Sequence, residues 1–350
     1  MVNSTIGKLI VIGGVALDMT STISKSSKNL TSILHTSNPG HIKQTLGGVG
    51  RNVCEAAVRT GAPAFLVSAV GNDLAAQTVR QGLKAIGMST QFIQCIPNHP
   101  TAVYNAIHSK SGELIAAVAD MDIFDTVDPI MIDKIVHTEE PSLVCFDGNI
   151  TAKTMSKITA KSVQLGIPVF FEPTSVPKSL KIFERDIITS GAIKFISPNQ
   201  FELEAMSETA RALLNNTISN HDNDTMTPKA PALVDRVLPY AIHLSHMIPN
   251  VITKLGEEGC LYVGRSTRTR QVHVQYFEPE KVDHIVNVTG AGDCFVGTLL
   301  ANLRKHITIQ PDNATLWKQI ISRAQRAAIL TLQSDLAVSP YINDKLLYSK

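Results

Sequence analysis

Residues 287–300 read NVTGAGDCFVGTLL: two glycines and an alanine, then one carboxylate, then an apolar run with helical character. The turn of Gly290, Ala291 and Gly292 leaves backbone N–H groups with no side chains in the way. At a helix N-terminus those groups point outward and the helix macrodipole adds partial positive charge. Together they form a cradle for a phosphate, or for the charge on a phosphoryl group in transfer. Asp293 beside that cradle would repel a bound phosphate. It makes better chemical sense as a base that takes a proton from an attacking hydroxyl. An acid in a first helical turn also serves as a simple cap, and the sequence fits both readings. The dinucleotide-binding fingerprint does not match, because it needs GxGxxG directly after the first strand and the chain offers only GGVALD there.

Other residues carry compatible chemistry. LGGVGRNVCEAA (46–57) places Gly47 and Gly48 where a ligand can approach the backbone closely. Asn52, one turn into the following helix, can donate to and accept from sugar hydroxyls, or it can be a buried structural amide. Asp18, just after the first strand, can grip two hydroxyls with one carboxylate. SPNQFELEAM (197–206) puts Asn199 and Glu202 three apart at a helix start. Glu202 either offsets that helix terminus or orders water around magnesium, which takes few protein ligands.

The elements that must position these residues alternate in type. KLIVIGG (8–14), AFLVSAVG (64–71), SLVCFDGN, PVFFEPT, IKFISPN and VITKLG read as buried strands. Helices are predicted over roughly 74–86, over 152–165, from about 200, over 233–247, and from near Asp293 and Ala314. Strands alternating with helices predict a parallel sheet covered on both faces. Two polar strand clusters, 20–46 and 91–119, do not fit that sheet and are expected to form a small second sheet, a lid. Residues 215–231, rich in Asn, Asp and Thr, are expected to be a mobile surface loop. The whole chain, 1–350, reads as one domain. Ligands of an open α/β sheet bind beyond the carboxyl ends of its strands. The polar residues there are Gly13–Gly14 through Asp18, Asn149, Glu172, Asn199 and Lys254 to Gly256.

Composition narrows the partners. With 32 Lys+Arg against 30 Asp+Glu, the net charge of +2 demands neither nucleic acid nor an anionic membrane. No window approaches the length of a membrane span. The first apolar run is too short for a secretory leader. None of the five cysteines forms a CxxC pair, which fits buried thiols in a reducing, cytoplasmic setting.

In this order, LGGVGRN, PNQFE, TKLGEEG and NVTGAGDCFVG resemble the signatures of the PfkB, or ribokinase-like, family of sugar and nucleoside kinases. The resemblance runs over nearly the whole chain. It implies a ribokinase-like α/β fold: a doubly wound, mostly parallel sheet flanked by helices, with a small β-sheet lid. It implies transfer of the γ-phosphoryl group of ATP to a hydroxymethyl group with Mg2+. By the same resemblance Asp293 is the base, and Gly290, Ala291 and Gly292 form the anion hole. Asp18, Gly47, Gly48 and Asn52 hold the sugar. Asn199 and Glu202 serve phosphate and, through water, magnesium. Lys254, Gly256 and Asn287 lie on the ATP side.

GGVGRNVCEAAVRTGA, TAVYNAIHSKSGELIAAVADMDIFD and FDGNI are most similar to the branch of the family that acts on pseudouridine. That similarity implies that Thr101, Tyr104, Asn105, Asn149 and Asp120 or Asp122 face the nucleoside. Asp120 and Asp122 fit a solvated strand end equally well. Kinases of ribose, adenosine or a keto-sugar acid are the alternatives, and an inactive scaffold is another. The 5% aromatic content argues against an adenosine pocket, and the intact GAGD argues against a scaffold. Asn287 stands where many relatives carry an acid that helps hold a monovalent cation, which leaves a potassium requirement open. Pseudouridine kinases are often fused to a glycosidase domain, for which 350 residues leave no room. Unpaired lid edges imply a homodimer through the lid.

Overall fold

A computed structural model describes residues 7–24, 35–213 and 230–348. The expected mobile loop at 215–231 lies almost wholly outside the described residues. The first strand, β1 (Leu9–Ile12), is buried along its whole length. Its side chains alternate between two cores. Leu9 and Val11 join one cluster, Ile10 and Ile12 the other, so the strand needs apolar residues at every position. β4 (Ala64–Val70) pairs with it in parallel on one side and β8 (Leu143–Asp147) on the other.

A nine-stranded sheet grows from this centre. β5 (Ile93–Cys95) lies outside β4; β9 (Val169–Glu172), β10 (Ile193–Ile196) and β11 (Asn250–Lys254) follow β8 in parallel. β12 (Cys260–Arg265) and β13 (Val272–Phe277) close the far edge as an antiparallel extension. Strand order therefore reverses between β1 and β8. A crevice opens beyond the carboxyl ends at such a switch point.

Helices α1 (Val49–Arg59), α2 (Leu74–Ala85), α9 (Ala291–Leu303) and α10 (Ala314–Leu332) cover one face through the cluster containing Leu9. Helices α3 (Pro129–Glu139), α4 (Ala152–Leu165), α7 (Gln200–Leu213) and α8 (Ala232–Leu244) cover the other. Two one-turn helices, α5 (Val176–Ser179) and α6 (Arg185–Ile188), join β9 to β10. Side-chain caps set several helix starts: Asp73 accepts from Ala76 N, Thr151 from Thr154 N and Asn313 from Leu316 N.

A separate four-stranded sheet is ordered β3 (Gly40–Gly47), β2 (Ala16–Ile23), β6 (Val103–His108), β7 (Leu114–Asp120). Its limits differ from the expected 20–46 and 91–119. The sheet already begins at Ala16, paired with Gly47. QFIQCI does not join it: Ile93 is buried and pairs with Ser68 of β4, because the apolar end of that segment completes the main core.

Candidate active site

α9 is apolar almost all round, and Cys294 to Leu303 are buried. That burial fixes the helix in the core and brings its N-terminus to the switch-point crevice. The helix opens at Gly290, whose φ of +79° is left-handed and whose terminus no side chain caps. A Cβ on Gly290 would collide with Ala337 O, so only glycine lets the chain turn here. The N–H groups of the first turn have no intrahelical acceptor. They lie beside the half-buried carboxylate of Asp293.

α1 packs against α9 and supplies the next group. Asn52 Nδ2 donates to Asp293 Oδ2 at 2.7 Å. Asn52 is buried, and its Oδ1 has no protein partner. A buried amide oxygen without a partner is suited to a ligand hydroxyl. Asp18 of β2 faces the same space, and a Cβ on Gly47 would collide with its carboxylate, so the glycine makes room for that acid. The Asp18 carboxyl is pushed up to about 6 by burial, with Arg51 opposing and Asp293 adding. Burial likewise lifts the Asp293 carboxyl above its ordinary range. The Asn52 hydrogen bond and the charges of Lys254 and Arg51 oppose the rise, and Asp147 adds to it.

Several residues without an assigned part in the sequence reading hold this geometry. Asp147, buried at the end of β8, accepts from Gly14 N at 2.9 Å, Gly50 N at 2.8 Å and Asn149 N at 2.9 Å. It thereby ties the end of β1 to the start of α1. Arg51 joins the carbonyls of Leu46 and Gly47 to Glu55, which also takes Arg59 Nε at 2.8 Å. The sequence signal was the spacing R51–E55–R59 at i, i+4 on one helix; for Asp147 it was an acid ending a buried strand.

Most other expected site residues have partners within the protein. Lys254 ends β11. Its Nζ donates to both carboxylate oxygens of Glu172, at 3.1 and 3.0 Å, and its stem runs beneath Gly292. Asn199 and Glu202 form a capping box for α7: Asn199 Oδ1 accepts from Glu202 N at 2.9 Å and Glu202 Oε2 from Asn199 N at 2.8 Å. Thr101 is locked in a structural network, donating to Asp73 Oδ1 at 2.6 Å and accepting from Gly71 N at 2.9 Å. Asn149 is engaged by Asp147 and by Lys178 Nζ. Asn287 Oδ1 accepts from Thr289 N in the loop before α9. Gly256, with φ +63°, is exposed in the turn after β11.

Strand register sorts the remaining three. Asp18 pairs with Tyr104, so these two share a face of the small sheet. Asn105 pairs with Met19, and Asp120 with Val103, which pairs with Leu17. Asn105 and Asp120 therefore lie on the face opposite to Asp18. Asp122 is exposed beyond β7.

For a metal, the donor chemistry is sparse. Among the described residues no group of three or more His, Cys, Asp or Glu side chains converges on one point. A magnesium ion bound mainly by phosphate oxygens and water needs no such cage. Among the described residues no helix is long and apolar enough to cross a membrane.

The pfkB family carbohydrate kinase model matches residues 8–343. The chain belongs to that family. The kinase is 31% identical to a pseudouridine-metabolizing bifunctional protein of Schizosaccharomyces pombe, over 97% of this chain and 48% of that protein, so it spans about half of that relative's length. It is 26% identical to the pseudouridine kinase of Escherichia coli, over 83% of this chain and 82% of that one. Its fold matches the Arabidopsis thaliana ribokinase solved with ribose and ATP, with a TM-score of 0.71 at 15% identity over 98% and 99% of the two chains. The kinase is thus a ribokinase-like phosphotransferase acting on a hydroxyl group of a sugar or nucleoside.

Proposed function

We propose that this kinase phosphorylates the 5′-hydroxyl of pseudouridine with ATP, and that Asp293 is the base. The observation that carries the mechanism is the pairing of an uncapped helix N-terminus with the Asp293 carboxylate, held by Asn52 at 2.7 Å in a switch-point crevice. The choice of acceptor leans on the two pseudouridine-related relatives.

In this mechanism Asp18 and the free Oδ1 of Asn52 hold sugar hydroxyls, with Gly47 and Gly48 allowing close approach. Asp293 accepts the 5′-OH proton as the oxygen attacks the γ-phosphorus in line. The N–H groups at Gly290 to Gly292 receive the charge that spreads over the phosphoryl oxygens. Positioning supplies most of the acceleration. Magnesium, when bound, neutralises phosphate charge, and Glu202 with Asn199 would orient its water. The loops bearing Gly256 and Asn287 flank the ATP side.

The small sheet covers the acceptor and excludes water. Lys43 of β3 binds Asp335 at 2.6 Å and anchors the sheet to the loop that backs Gly290. Tyr104, on the Asp18 face, is the best placed of the expected base readers. On the opposite face Ile42, Ile107 and Val118 are exposed. That apolar face is the proposed homodimer contact, and sedimentation as a monomer would refute it.

The acceptor is tested by ATP consumption with magnesium over pseudouridine, uridine, ribose, deoxyribose and adenosine. Turnover of pseudouridine and not uridine supports the proposal. Preference for a free sugar assigns the chain to another branch, and no turnover with any acceptor favours a scaffold.

A further inference from the structure

Lys254 and Glu172 end two strands, β11 and β9, that are separated in the sheet only by β10. Glu172 is buried at 4% exposure and Lys254 is partly buried at 17%. Two charges are costly to hold there without a task, because an apolar pair of the same shape would serve stability as well or better. The location suggests the task. A Cβ placed on Gly292 would lie 3.8 Å from Lys254 Nζ and Cδ and 3.9 Å from its Cε. The lysine therefore lies directly under the backbone turn that precedes Asp293.

We infer that Lys254 is a positioning residue for the proposed proton transfer: its ammonium is a fixed positive charge under the Gly290–Gly292 turn that keeps Asp293 ionised, and Glu172 clamps it there across both carboxylate oxygens. This inference rests on the reading of Asp293 as the base.

The surroundings of Asp293 are crowded with acid. Asp18 faces it from β2, Asp147 from β8 and Glu172 from β9, with Glu202 of α7 beyond. At Asp293 itself the Asn52 hydrogen bond and the charges of Lys254 and Arg51 act against them. Cys294, next to Asp293 on α9, is held as a neutral thiol by burial. Arg51 is committed to the carbonyls of Leu46 and Gly47 and to Glu55. Lys254 is the cation set beneath the turn itself. Burial works against the ammonium of Lys254, but its acidic neighbours, Glu172 first, hold the pKa above the usual lysine range; burial in turn pushes the Glu172 carboxyl up to about 8, with Lys254 opposing. Lysine thus stays charged through the pH range in which Asp293 must lose its proton.

The test is the pH profile of kcat/KM for the full chain with ATP, magnesium and its best acceptor. Lys254→Met moves the acidic limb to higher pH by about one pH unit, which is about tenfold in rate below the limb. Lys254→Arg restores the limb. If Lys254→Met does not fold, the double variant Lys254→Met with Glu172→Gln leaves no buried charge unpaired, and its limb also rises, by less. A lower rate with an unmoved limb in both variants overturns the inference, since a purely structural lysine gives that result. Asp293→Asn separates this from the parent reading: near-normal turnover there removes the base, whereas an unmoved limb in Lys254→Met alone removes only the role of the lysine.

Discussion

Asn52→Leu isolates the hydrogen bond at the centre of the site. The substitution keeps the branching at Cγ and removes the donor that sits 2.7 Å from Asp293 Oδ2. A hydrogen bond to a charged group contributes about 1.5–3 kcal/mol. That bond favours the carboxylate over the acid, and about 1.4 kcal/mol corresponds to one pH unit of titration. Burial already lifts the Asp293 carboxyl, and Asn52 is the first of the groups that oppose the lift. Without it the carboxyl rises further, so less of it is ionised at low pH. The acidic limb of kcat/KM should then move upward by about one to two pH units. The loss should be largest near pH 6 and shrink toward alkaline pH. A remaining pH-independent rise in KM is expected from the lost Oδ1, which has no protein partner and is left for a ligand. Steady-state rates from pH 5.5 to 9, with circular dichroism as the fold control, measure both effects. An acidic limb that stays in place in a folded Asn52→Leu protein refutes the reasoning.

Three other outcomes follow from the same geometry. Asp18 has its carboxyl pushed up to about 6 against an ordinary 3.8, so its contribution to stability is full below about pH 4 and is lost as pH rises through about 6; Asp18→Asn should raise stability by about 1–3 kcal/mol at pH 7, leave it unchanged near pH 4 in thermal melts, and weaken acceptor binding. Gly290→Ala must place a side chain at φ +79° against Ala337 O, which costs at least about 1–2 kcal/mol in the melt and should lower kcat by disturbing the first turn of α9. Of the five thiols only Cys95 is exposed, so a thiol reagent should label one cysteine in the native protein and five after denaturation.

The main sheet was legible because its strands are apolar runs between helices with the right period, and β4, α2, α4 and α9 begin where the pattern places them. The antiparallel end of the sheet, β12 and β13, was not. Nothing in CLYVGR or VHVQYF states a strand direction; the short turns around them decide it. The faces on which the expected base readers lie were hidden for a related reason. In TAVYNAIHS and ELIAAVAD apolar and polar residues do not alternate cleanly, so the parity that puts Tyr104 with Asp18, and Asn105 and Asp120 behind them, appears only in the pairing register.

The motif around Asp293 was readable as a unit because Gly290, Ala291 and Gly292 are adjacent in the chain. The contacts that support it were not. Asn52 to Asp293 spans 241 residues and Lys254 to Glu172 spans 82. Such pairs meet through strand order and helix packing rather than through local spacing. Lys254 is held by a carboxylate that ends a strand two places away, a pairing that no local spacing announces. Glu202 and Asn199 show the reverse case: their spacing is that of a capping box, and they form one.

The account turns on Asp293 as the acceptor of the hydroxyl proton. Its most direct test is kcat for Asp293→Asn with saturating ATP, magnesium and pseudouridine, alongside a circular dichroism melt. The account predicts a folded protein whose kcat is at least about a hundredfold lower at every pH. A folded Asp293→Asn enzyme turning over within a few-fold of the parent would contradict it.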